Sequence, residues 1–165
     1  MTQKKNLLAS ILSKLDQILC NKSLTKIRIT DFGISTVLEK DKKTNMSVNV
    51  VTLWYRAPEL LLQHPRYDDC IDIWSAGLIA VELNIRTPLF KSAKNEREMV
   101  QAIIDLMGVP SLPDKYPNKF ITYLDNIGID VGEKKFITTM LNLNMCKRAK
   151  AKDLINNEWL EKAHS

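Results

Sequence analysis

Glycine is scarce in this chain, with five in 165 residues and none before Gly33. No glycine-rich loop that cradles phosphate can therefore precede Gly33 within these residues. Cysteine is equally thin. Cys20, Cys70 and Cys146 are odd in number and widely spaced, with no CxxC pair and only His64 and His164 to assist them. That pattern excludes a disulfide framework and a zinc cluster and suits a reducing intracellular compartment. Long apolar runs are missing too. The richest, 71–83, is broken by Asp72, Ser75 and Glu82 and falls short of a membrane helix. Charge of one sign does not accumulate. The net +5 is modest, and lysines alternate with acids in VLEKDKK and SAKNEREM, which reads as solvated surface and not as a nucleic-acid patch. Lys4 and Lys5 precede NLLASIL, but Lys14 and Asp16 follow without a small-residue cleavage site, so no secretory signal is expected.

What is present describes a globular chain. Hydrophobic residues make up 45% and charged residues 26%, enough apolar content for one sizeable core. The expectation is a single domain over 1–165, too short for two full lobes, without internal repeats or low-complexity tracts.

Leu7, Leu8, Ile11, Leu12, Leu15, Ile18 and Leu19 recur at helical spacing and predict a helix over 5–19. Lys26 to Thr30 alternates polar and β-branched residues, as a short strand delivering Asp31 at its end. The stretch 36–47 is polar and patternless and reads as a surface loop. Pro58 and Glu59 open a short helix, with proline and a carboxylate both suited to a first turn. Asp72 to Asn84 is apolar nearly all round and predicts a central helix wrapped by others. Glu96 to Met107 carries one stripe, capped by Asn95 and ended by Gly108 and Pro110. Phe136, Ile137, Met140 and Leu141 define another helix, and Leu154, Ile155, Trp159 and Leu160 the last.

Four stretches in fixed order carry the chemistry. ITDFGIS, 29–35, places Asp31, Phe32 and Gly33 after the strand. VVTLWYRAPELLL follows, with Ala57-Pro58-Glu59. YDDCIDIWSAGLIAVEL and then CKRAKAKDLI complete the series. Singly each reads as a turn or a helix start. Together they resemble the eukaryotic protein kinases, and among them the cyclin-dependent-kinase-like branch, over residues 17–160.

The resemblance implies a mainly α fold: the C-terminal lobe of a protein kinase, with a short β element before Asp-Phe-Gly and no N-terminal β-lobe. It divides the chain into a divergent helical or catalytic-loop remnant at 1–25, a magnesium loop and activation segment at 26–59, and a helical lobe at 60–165. ATP and Mg²⁺ are the implied cofactors, with Asp31 holding the metal. Residues 34–56 form the activation loop and substrate platform, including Val51, Thr52 and Arg56, and Glu59 pairs with Arg148 to brace it. Asp72 hydrogen-bonds the catalytic-loop backbone. Val51 takes a positive φ, its strained carbonyl held by Arg56, as on a proline-preferring platform. Ser47 stands where the family carries its activating phosphothreonine.

The catalytic loop is placed by setting Gln17-Ile18-Leu19 on the family's Asn-Ile-Leu. Lys14 then agrees with the family, Gln17 falls at the second magnesium ligand, and Leu12 occupies the place of the catalytic base. No His-Arg-Asp precedes Asp31, so these residues alone are expected to be inactive, as a truncated serine/threonine kinase. The alternatives are a working kinase completed by another chain and a pseudokinase-type module that docks substrates or regulators of a kinase pathway. Protein partners are expected at 96–135, without nucleic acid or membrane. A cyclin is not expected, since cyclins grip mainly the other lobe. The family's compartments are nucleus and cytoplasm.

Overall fold

The structure is a computed structural model that describes residues 7–8, 18–23, 26–30, 36–37, 52–65 and 67–163. Two small antiparallel ribbons come first. Strand β1 (Leu7–Leu8) pairs with β4 (Thr36–Val37), and β2 (Ile18–Cys20) with β3 (Ile27–Ile29). In the second ribbon Ile18 faces Ile29, Leu19 faces Arg28 and Cys20 faces Ile27. Asn21 turns the chain between them, its backbone N–H donating to the Lys26 carbonyl and its side-chain oxygen accepting from the Lys26 N–H.

These strands overturn the helix expected over 5–19. A run of leucines and isoleucines satisfies helical spacing without requiring it. Here the β-branched side chain of Ile29 offers Ile18 a cross-strand partner, and pairing outweighs the local pattern. The strand expected from Lys26 to Thr30 is present as β3.

The helical part follows the sequence closely. Helix α1 (Pro58–Leu61) starts at the proline, and α2 (Cys70–Ile85) extends the expected central helix at both ends. Trp74, Leu78 and Val81 of α2 are fully or almost fully buried, while Leu83 projects into solvent. The wrapping is thus incomplete on that side. Gly77 lets the lobe close on α2: a Cβ there would lie 2.7 Å from Leu141 Cγ, nearer than atoms can pack.

Helix α3 (Glu96–Met107) has the expected bounds. The Asn95 side chain accepts from the Glu98 N–H, and Glu98 reaches back to the Lys94 N–H, a reciprocal cap. Gly108 ends the helix at φ 73° against the backbone of Tyr116 and Asn118, a conformation and a space that suit only glycine.

Helix α4 (Phe120–Asn126), which the sequence pattern did not reveal, follows, and then α5 (Val131–Met140), capped by Asp130. The expected last helix is two, α6 (Ala151–Ile155) and α7 (Glu158–Ala163). The break falls at Asn157, whose side chain accepts from the Trp159 N–H and restarts the chain as a cap would. Trp159 then stacks on Phe136 at 5.0 Å between ring centroids. Met99, Leu124 and Ile137 join Trp74, Leu78 and Val81 in the deepest part of the core. No helix among the described residues is long and apolar enough to cross a membrane.

Candidate functional site

Of the expected activation loop and platform at 34–56 and its brace at Glu59, the structure describes Thr36, Val37 and residues 52–59, and it shows how 52–59 is held. Thr52 leads into a single 3-10 turn at Leu53–Tyr55, and Arg56 leaves it in extended conformation towards the proline that starts α1. A segment this short has almost no internal hydrogen bonding to fix it. Its position must come from side chains gripping the lobe below.

Three consecutive residues do so. The Trp54 indole Nε1 donates to the Ala93 carbonyl at 2.9 Å. The Tyr55 hydroxyl donates to Glu82 Oε2 of α2 at 2.6 Å, in the interior, while the Ser75 hydroxyl donates to the Tyr55 carbonyl at 2.9 Å. Arg56 Nη1 donates to Glu96 Oε1 at the start of α3. Tyr55, Glu82, Ser75 and Glu96 were not picked out by sequence reasoning. Their partners lie 20 to 40 positions away, and a tyrosine or a helix glutamate alone gives no sign of such pairing.

Three residues further on, Glu59 meets Arg148 across 89 positions of sequence. The contact is bidentate, Nη1 to Oε1 at 2.6 Å and Nη2 to Oε2 at 2.9 Å, with side chains 0% and 6% exposed for Arg148 and Glu59. Arg148 also donates from Nη1 to the Cys70 carbonyl at 2.7 Å and from Nε to the Asn142 carbonyl at 3.2 Å. Its guanidinium lies 5.2 Å from the Trp74 ring centroid. A buried arginine survives only with its charge matched and its N–H groups occupied, and here both conditions are met. The 3-10 turn Met145–Lys147, capped by Asn144, delivers Arg148 to this place.

Asp72 lies half-buried in the first turn of α2. The catalytic-loop backbone to which it was assigned is outside the described residues. So are Lys14, Gln17, Asp31, Ser47 and Val51, including the expected positive φ at Val51.

Among the described residues one group, Asp68, Asp69 and Cys70, brings metal-ligating atoms within 4.8 Å of one another. It does not fit magnesium. Burial above all, and then the Asp68 carboxylate hydrogen-bonded to it, push the Cys70 thiol up to about 12, so the sulfur stays protonated, and magnesium demands oxygen ligands. This cluster of described residues is therefore not a magnesium site.

The protein kinase domain family matches residues 13–160. The chain belongs to the protein kinase family. Among its relatives, this kinase chain is 34% identical over 152 residues to the serine/threonine-protein kinase ppk23 of Schizosaccharomyces pombe, covering 81% of this chain and 37% of that protein. It is 32% identical over 181 residues to cyclin-dependent kinase 12 of Drosophila melanogaster, covering 96% of this chain and 15% of that one. Its place is on the cyclin-dependent-kinase-like branch. In structure it resembles a chain from the crystal structure of the yeast RNA Pol II CTD kinase CTDK-1 complex, with a TM-score of 0.82, 24% identity and 95% of this chain covered. That likeness establishes the mainly helical kinase fold, over 56% of the other chain. This kinase chain spans 37% or less of the length of the two curated relatives.

Proposed function

We propose that these 165 residues form the substrate-platform lobe of a cyclin-dependent-kinase-like serine/threonine kinase and do not transfer phosphate by themselves. The observation that carries the reading is the buried Glu59–Arg148 pair. It ties the end of the 52–59 segment to the far end of the lobe, where a platform that must hold a peptide steady needs a fixed base. Thr52 and Arg56 belong to that platform, with Val51 and Ser47 ahead of them in the chain and Asp72 at the start of α2.

Phosphoryl transfer is mostly positioning and charge neutralisation. In this reading Lys14 and Gln17 belong to the catalytic loop, where the resemblance to the family sets them. Asp31 and Gln17 would be the magnesium ligands, and the metal would neutralise the phosphate charge of ATP. The place of the general base falls on Leu12, and a missing base alone lowers the rate by about 10² to 10⁴.

Protein substrates or regulators are the partners that suit this reading, at α3 and the connection through α4, roughly 96–135. The family's compartments, nucleus or cytoplasm, follow with it. The test is radiolabel transfer from ATP to a basic peptide by the purified chain. Background counts are expected. Transfer that survives stringent purification and disappears in Asp31→Ala would overturn the inactivity.

A further inference from the structure

The anchors of residues 54–56 do not all hold the same thing. Tyr55 is fixed to α2 at the centre of the lobe. Trp54 and Arg56 both reach the start of α3, through the Ala93 carbonyl and the Glu96 carboxylate. The Arg56 side chain is 8% exposed and that of Glu96 38%. A deeply set cation is thus paired with a carboxylate standing nearer the surface. The place of that carboxylate is set by where α3 begins, which the Asn95 and Glu98 cap determines.

We propose that Glu96 is a positioning residue of the substrate platform, acting through Arg56, so that the first turn of α3 and residues 53–56 form one recognition unit. The inference rests on the reading of 52–59 as a platform. Its physical basis is local. Without the Glu96 charge, the guanidinium is buried with less compensation and shifts towards its other contacts or towards water. Either motion pulls on the Arg56 backbone, whose N–H closes the 3-10 turn on the Leu53 carbonyl at 3.2 Å. The Trp54 indole, two residues before, is held to the same α3 approach and moves with it. The Glu59–Arg148 pair has its own set of partners and stays in place.

Amide exchange and ¹⁵N spectra of the full chain test this without any need for activity. Glu96→Gln keeps the shape and an acceptor but removes the charge. Exchange at the Tyr55 and Arg56 amides is expected to rise about tenfold, as when a charge-assisted hydrogen bond leaves a local opening equilibrium. The Trp54 indole N–H resonance should shift, and the Leu141 amide, bonded to the Ile137 carbonyl, should not change. In an Arg56→Met background, Glu96→Gln should have no further effect; Arg56→Lys, which loses the planar fork, serves if that variant does not fold. Unchanged exchange at Tyr55 and Arg56, a uniform rise that includes Leu141, or the same response without the arginine would each overturn the assignment. Phosphate transfer by the unmodified chain would overturn the inactivity of the proposed function and leave this result untouched.

Discussion

Removing the Glu59 carboxylate leaves the Arg148 guanidinium in a site with 0% side-chain exposure, where water cannot replace what was lost. The pair itself contributes little net stability, because desolvating both charges offsets most of their attraction. Breaking it is another matter, at about 3 to 5 kcal/mol. Glu59→Ala is expected to lower the melting temperature by about 10 °C, taking 2 to 4 °C per kcal/mol for a chain of this size. A melting curve that overlays the unmutated one would show that Arg148 is compensated elsewhere. The pairing was legible in the sequence, but only through resemblance to a family. Composition and spacing give no means of joining residues 89 apart, and so the contacts of Tyr55 with Glu82 and of Arg56 with Glu96 stayed hidden.

Cys70 shows a second residue-scale effect. Its folded-state thiol is pushed from 9.0 up to about 12, mainly by burial. Below pH 9 the thiol is neutral in both states and contributes no pH dependence. Between pH 9 and 12 the unfolded thiol ionises while the folded one does not, so this group makes stability fall as pH rises. The stability difference between the unmutated chain and Cys70→Ala is expected to narrow across that window. At pH 8, alkylation of the native chain should modify the exposed Cys20 and Cys146 and spare Cys70 until the chain is unfolded, as mass spectrometry would read directly.

At the scale of elements, sequence patterns worked where a stripe was long and its ends were marked. Helix α3 has twelve residues, a capping asparagine and a terminating glycine, and its bounds came out as expected. Asn95→Ala should cost about 1 kcal/mol, measured by chemical denaturation, and an unchanged midpoint would show that Glu98 caps the helix unaided. Patterns failed where elements were short. Helix α4 has seven residues and just two buried side chains, Phe120 and Leu124, too few to establish a period. The strands β1 and β2 fail for the opposite reason. Their residues do fit a helical stripe, and only partners supplied by β3 and β4 decide against it. Helices α6 and α7 merged into one expected helix because the break at Asn157 is made by a side-chain hydrogen bond, and no proline or glycine marks it.

At the scale of the whole molecule the distribution of charge decides whether the lobe can be switched at Ser47. A phosphate orders a segment when arginines receive it, since paired charge-assisted hydrogen bonds supply the energy. The family's receiving arginines would match Ile11 and Thr36 here, and Thr36 is a strand residue paired with Leu8 in the first ribbon. The two arginines bonded at the platform are already engaged, Arg56 with Glu96 and Arg148 with Glu59. Drawing either towards a phosphate would leave its carboxylate partner without a counter-charge. Lys40, Lys42 and Lys43 stand near in sequence, but lysine is a hydrated point charge that cannot fork two phosphate oxygens. Phosphorylation of Ser47, or Ser47→Glu, is therefore expected to leave the melting temperature and the exchange of the Tyr55 and Arg56 amides unchanged in this chain. Marked new protection at those amides after phosphorylation would mean that an arginine reaches Ser47 from elsewhere in the molecule, and a Glu59→Ala comparison would then tell whether Arg148 had been the one to leave its partner.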